Sequence, residues 1–166
     1  MRTPNLSIPA RIIAGVAAII VVTTGVTLAT PGAGVTSTNV SVGRFDDIRL
    51  KSRFEDHKVE ISAKGASDLY VVSNVIAPGG HTGWHTHPGP SLITVKTGTI
   101  TAYEGDDPTC TGHVYHQGEG FLDPGDGHVH ILRNESGAAA ETIAVQLLPA
   151  GAVRRIDVEN PGYCPF

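Results

Sequence analysis

The sequence predicts an all-β fold, a jelly-roll barrel of short antiparallel strands preceded by an apolar N-terminal segment. Three observations carry that expectation. Apolar stretches rich in Val, Ile, Thr and Leu recur, most of them four to nine residues long, and Gly, Pro, Asp or Asn turn signals bound them. The 166 residues hold 20 Gly and 11 Pro, a share of turn formers well above average. No segment offers a clear helix of three turns: the best candidate, 138–148, is β-branched at Thr142, Ile143 and Val145 and stops at Pro149, so it reads as a strand. Antiparallel strands this short protect their edges by closing into a barrel or a double-sheet jelly roll.

In chain order, residues 1–29 stand apart. Arg2 and Arg11 precede an apolar run over 12–29, and Thr27, Leu28 and Ala29 offer small residues near a cleavage point. The run is long for a signal-peptide core and short for a bilayer span, so it reads either as a signal peptide or as an N-terminal membrane anchor. The positive flank precedes the apolar run, which puts the remainder outside the cytoplasm, secreted or membrane-anchored. Residues 30–44 are small and polar without apolar periodicity and read as a flexible spacer. A single domain with a C-terminal tail then fills 45–166. Its expected strands are 45–50, 59–62, 69–77, 83–87, 92–96, 99–103, 113–116, 128–133 and 141–148.

Twelve Lys and Arg against 16 Asp and Glu give a formal charge of −4, which leaves no basic footprint for nucleic acid. Both cysteines, Cys110 and Cys164, fall in the exported part, where an oxidising compartment favours pairing them; that bond would pin the tail onto the loop around Cys110. The alternative is a free Cys110 thiol.

The chemistry concentrates in two stretches. In 79–98, His85 and His87 stand two residues apart on an expected strand, so both project from one face while Trp84 and Thr86 project from the other, with Trp84 in the core. That spacing lets two imidazoles reach one ion. Further along, His130 sits in a second strand-like segment closed by Asn134 and can supply a third imidazole. His128 lies two residues before His130; if the strand extends back through Gly127 it serves as a fourth ligand or proton shuttle, and otherwise it is an exposed turn histidine. His81 reads as a rim residue, Asn134 as structural, and Asp106, Asp107, Arg154 and Arg155 as solvated surface charges. Tyr70, Tyr103, Lys96 and Gln146 are further candidates to reach the cavity, with strand phase unassigned.

These spacings resemble the two motifs of the cupins, small β-barrels whose first motif reads G-x5-H-x-H-x3,4-E-x6-G. Gly79, His85, His87 and Gly98 fill their places, and Ser91 stands where the glutamate belongs. The second motif, G-x5-P-x-G-x2-H-x3-N, is matched by Gly118, Pro124, Gly127, His130 and Asn134, with one extra residue between Pro124 and Gly127. The resemblance covers about 61–148 and implies a cupin-type jelly roll with His85, His87 and His130 as metal ligands. It also implies a homodimer as one assembly, since cupins commonly pair through sheet edges.

Three neutral imidazoles suit a divalent transition metal, Fe, Mn, Zn, Ni or Cu, and leave room for water or a small-molecule substrate. Without the carboxylate the ion keeps its full charge, which disfavours hard ions such as Mn and favours an anionic ligand. Ser91 is too weak a donor to replace the glutamate, though its hydroxyl can orient a bound water. The sequence shows no Ser-His-Asp order, phosphate-cradling glycine loop or CxxC motif. Two functions remain. One is a metal-dependent, dioxygenase-like enzyme acting on a small molecule; the other is a non-catalytic cupin that binds a small ligand or metal.

Overall fold

A computed structural model describes residues 29–166, so the expected signal peptide or anchor falls, but for Ala29, outside the described residues. The rest is all β. In chain order the first strands are β1 (Ala33–Phe45), β2 (Ile48–Phe54), β3 (His57–Ala63) and β4 (Ser67–His81). Then come β5 (His85–Thr86), β6 (Ser91–Thr97), β7 (Thr99–Glu104) and β8 (His113–His116). The last are β9 (Gly120–Asp123), β10 (His130–Arg133), β11 (Ala140–Pro149) and β12 (Ile156–Asp157).

Ten of these strands form two facing layers. The first runs β1-β4-β11-β6-β9 and the second β12-β5-β10-β7-β8; they join where Arg133 of β10 pairs with His81 at the far end of β4, giving one continuous antiparallel sheet folded on itself. Strands β2 and β3 form a separate hairpin. The core lies between the layers: Ile76, Val95 and Ala140 from the first meet Ile100, Ala102 and Leu132 from the second, and Val72, Ile93 and Ala144 form a second cluster within the first layer.

Strand alternation decides what each layer presents. Along β11, Ala140, Thr142, Ala144, Gln146 and Leu148 are buried and the residues between them are half-buried, the period of two that Thr142, Ile143 and Val145 favour over a helix. Along β10, His130 and Leu132 face inward, while Ile131 faces the opposite side and packs with Trp84 and Cys164. That outer cluster is roofed by the C-terminal tail. The expected disulfide Cys110–Cys164 holds the tail there, and the Arg133 guanidinium stacks 3.8 Å over the Phe166 ring.

Four expectations need correction. Residues 30–44 are not a flexible spacer: 33–45 form β1, which pairs along nearly all of β4, so the folded domain starts earlier than residue 45. An edge strand with both faces largely exposed has no apolar period to reveal it, and its backbone bonds to β4 hold it instead. The register pair Arg44 and Asp68 adds two hydrogen bonds of 2.6 and 2.9 Å. Next, the strand expected at 45–50 is broken after Phe45, and β2 begins at Ile48. The strand expected at 83–87 shrinks to two residues, because Gly83 has φ 73° and packs so closely on the chain at Thr30 that no side chain would fit. Finally, β10 starts at His130 and not at 128, since Gly125, Asp126 and Gly127 all adopt positive φ and keep the chain turning. Strands β9 and β12 were not expected at all.

Candidate metal centre

The fold brings the three expected histidines together. His85 and His130 are direct strand partners, and His87 follows one residue after β5. Their ring centroids are 4.3 Å (His85–His130), 4.9 Å (His85–His87) and 5.6 Å (His87–His130) apart. Each offers a ring nitrogen, and the three nitrogens lie within 4.8 Å of one another, so one ion can reach all three. All three residues are buried at one end of the space between the layers.

Hydrogen bonds set the orientation of the rings. His85 Nδ1 donates to the Gly83 carbonyl at 2.9 Å, and His87 Nδ1 to the Arg154 carbonyl at 2.7 Å. A carbonyl accepts only, so these contacts assign the proton to Nδ1 and leave the Nε2 lone pair free in both rings. Among the described residues His130 Nδ1 has no hydrogen-bond partner; Asp123 Oδ1 lies 3.7 Å from it. At that distance Asp123 makes no hydrogen bond to the ring, and its negative charge acts on His130 through space.

Burial depresses all three imidazole pKa values. For His85, burial acts first and repulsion from His130, Arg155 and His87 adds to it. Burial also lowers His87, opposed by its bond to the Arg154 carbonyl and by Asp123. His130 is pushed down to about 4 by burial, opposed chiefly by Asp123. The sign for stability follows: the unfolded chain takes up these protons near pH 6.5, while the folded chain resists them. The metal-free protein is therefore expected to keep full stability from these groups above about pH 6.5 and to lose it progressively toward pH 4, as urea midpoints measured across that range will show.

A row of polar side chains faces the imidazoles from the first layer. Gln146 is the register partner of Ser91, and Ser91 of Asp123, so cross-strand pairing lines up three side chains that are far apart in sequence. Gln146 Nε2 donates to Ser91 Oγ at 3.1 Å, and Ser91 Oγ to Asp123 Oδ2 at 3.5 Å. The Gln146 amide nitrogen also sits 3.3 Å from both His87 ring nitrogens. Ser91, at the glutamate position, thus serves this hydrogen-bonded row rather than a fourth coordination site of its own strength.

The cavity measures about 210 Å³. Gln146, Ser91, Arg154 and Arg155 line it with the three histidines, so the two arginines are not the solvated surface charges expected from sequence. His128 does not line it. It stands on the far side of His130, 3.1 Å from Glu104 and 3.3 Å from Asp123, and with Asp123 and His130 it forms a second group close enough to share an ion. The other expectations divide. Asn134 is structural: it is fully buried, donates to the Ile76 and Ala138 carbonyls and accepts from Ser136. Trp84 is core, Tyr103 belongs to the outer cluster, and Lys96 pairs with Glu141 at the surface. Asp107 holds its own loop through Thr109 and Thr111, bonds that keep its carboxyl well below the usual range.

Replacing Asp123 with Asn keeps the shape but removes the negative charge behind His130. Metal affinity, measured by chelator competition, is expected to fall by about tenfold or more with the far-UV spectrum unchanged; an unaltered affinity would remove Asp123 from the site.

No family model and no curated protein matches this sequence. Solved structures do match. The polyketide cyclase RemF from Streptomyces resistomycificus superposes over 88% of this chain and 91% of its own, with 15% identity and a TM-score of 0.51. An uncharacterised protein with a double-stranded β-helix domain from Klebsiella pneumoniae subsp. pneumoniae MGH 78578 aligns over 69% of this chain and 85% of its own, at 20% identity and a TM-score of 0.47. An oxalate oxidase in complex with the substrate analogue glycolate aligns over 54% of this chain and 46% of its own, at 21% identity and a TM-score of 0.47. This chain thus spans less than half the length of the oxalate oxidase it matches. At these identities the likeness is one of fold alone.

Proposed function

We propose that this protein is an extracytoplasmic cupin that holds one divalent transition metal through His85, His87 and His130 and acts on a small molecule at that centre. The observation that carries it is the convergence of three buried imidazoles, each with a ring nitrogen within reach of one ion and two of them oriented by Nδ1 bonds to backbone carbonyls. Their depressed pKa values keep them neutral, and therefore ligand-competent, at neutral pH. The donor set, three nitrogens and no carboxylate, suits Fe, Zn, Cu or Ni better than Mn. When bound, such an ion supplies Lewis acidity and, if redox-active, access to dioxygen.

The chain's own residues do the rest. The three histidines are buried, and the Gln146–Ser91–Asp123 row fixes polar groups beside them. The cavity is smaller than the roughly 300–1,000 Å³ of pockets for drug-sized ligands, so it fits a small substrate. Export is supported by Arg2 and Arg11 ahead of the apolar run and by the disulfide, which persists in an oxidising compartment.

The test is elemental analysis of the protein purified from its own compartment, followed by a dioxygen-uptake screen with small organic molecules. A redox-active metal near one per chain with substrate-dependent uptake supports the enzyme. A metal-free protein that still binds small ligands would favour a binding module instead.

A further inference from the structure

Residues 154 and 155 follow β11 as two consecutive arginines, and both line the cavity beside the histidines. They are not equivalent. Arg155 is tied down: its Nε donates to Asp157 Oδ1 at 2.6 Å and its Nη2 to the Thr82 carbonyl. Arg154 makes one side-chain hydrogen bond among the described residues, from Nη1 to the neutral Gln146 amide oxygen at 3.0 Å, and no carboxylate there pairs with it. The lining therefore holds two guanidiniums against one acid, Asp157, next to three uncharged imidazoles. Burial lowers both guanidinium pKa values, with repulsion from Arg155 adding to it at Arg154 and Asp157 opposing it at Arg155, yet a guanidinium stays protonated in proteins.

A half-buried cation with open donors and no counter-charge is costly unless a ligand supplies the charge. Its position is also fixed, because the Arg154 carbonyl accepts the His87 Nδ1 proton and the Gln146 amide holds the head group. We propose that Arg154 is the anion-binding residue of this cavity and that the ligand is a small organic carboxylate, seated between the guanidinium and the three histidines. The histidine half of that seat rests on the metal-centre reading above; the arginine half does not.

A carboxylate is favoured over a phosphate for two reasons. The planar fork of one guanidinium matches a carboxylate in two parallel hydrogen bonds. Among the side chains of the lining a single positive charge is uncompensated, and no lysine or helix N-terminus stands beside it to meet a dianion.

Isothermal titration of the full-length chain with acetate and with inorganic phosphate, metal-free and zinc-loaded, tests this. Wild type is expected to bind acetate more tightly than phosphate. Arg154→Gln is expected to weaken acetate about tenfold or more, and Arg154→Lys, which keeps charge but not the fork, to fall between. Arg49→Gln, in the separate hairpin, should match wild type, and zinc affinity of the Arg154 variants should stay within about twofold. Arg154-dependent acetate binding in a chain that takes no zinc would overturn the metal centre and leave this proposal standing. Acetate binding that is absent, weaker than phosphate, or unchanged in Arg154→Gln would overturn the proposal itself.

Discussion

Replacing His130 with alanine is expected to lower the affinity of the chain for zinc or cobalt by on the order of 100-fold or more, larger than the cost of losing a residue behind a ligand. The pairing of His130 with His85 brings a ligand from the second motif onto the first, so its loss leaves two imidazoles from one short segment. The variant should remain folded, because a buried imidazole with an unpartnered Nδ1 is removed and the apolar neighbours Ile131 and Leu132 stay in place. His128→Ala is the matched control. Its ring is 6.1 Å from His130 but on the side of Glu104 and Asp123, outside the cavity, so metal content and affinity should change little. Equal losses in the two variants would move the metal to the second group, Asp123, His128 and His130.

Removing the disulfide by Cys110→Ser with Cys164→Ser is expected to destabilise the domain by about 4 kcal/mol, the loop-closure value for a separation of 54 residues. Packing adds to that entropic effect. Without the bond the tail no longer has to cover Trp84 and Ile131, and the Arg133–Phe166 stack loses its tether. The melting temperature should fall by roughly 10–20 °C, and Trp84 fluorescence should shift red as its cover opens. Trp84 and His85 are neighbours on opposite faces of one short strand region, so metal affinity should also weaken in the reduced protein. A melting point unchanged by reduction would mean the tail is held by packing alone.

The sequence made the three histidines legible because strand alternation and two spaced motifs are local signals. What it hid depends on long-range pairing. Asp123 becomes the residue behind His130 only through the register that places Ser91 between it and Gln146, and nothing in the sequence around Asp123 announces that. Arg154 and Arg155 sit in an irregular segment whose course is set by the pairing of β12 with β5, so they looked like ordinary surface charge. Strand β1 lacked an apolar period because it is an exposed edge, and His128 was drawn into the strand by a spacing that three consecutive positive-φ residues cancel.

The most direct measurement is X-ray absorption at the metal edge of the full-length protein loaded with one equivalent of zinc or cobalt. Three imidazole ligands per ion, with their outer-shell ring scattering, and a loss of one in His130→Ala are the predicted result. An ion that binds with fewer than two imidazoles, or no stoichiometric binding at all, would contradict a shared three-histidine centre.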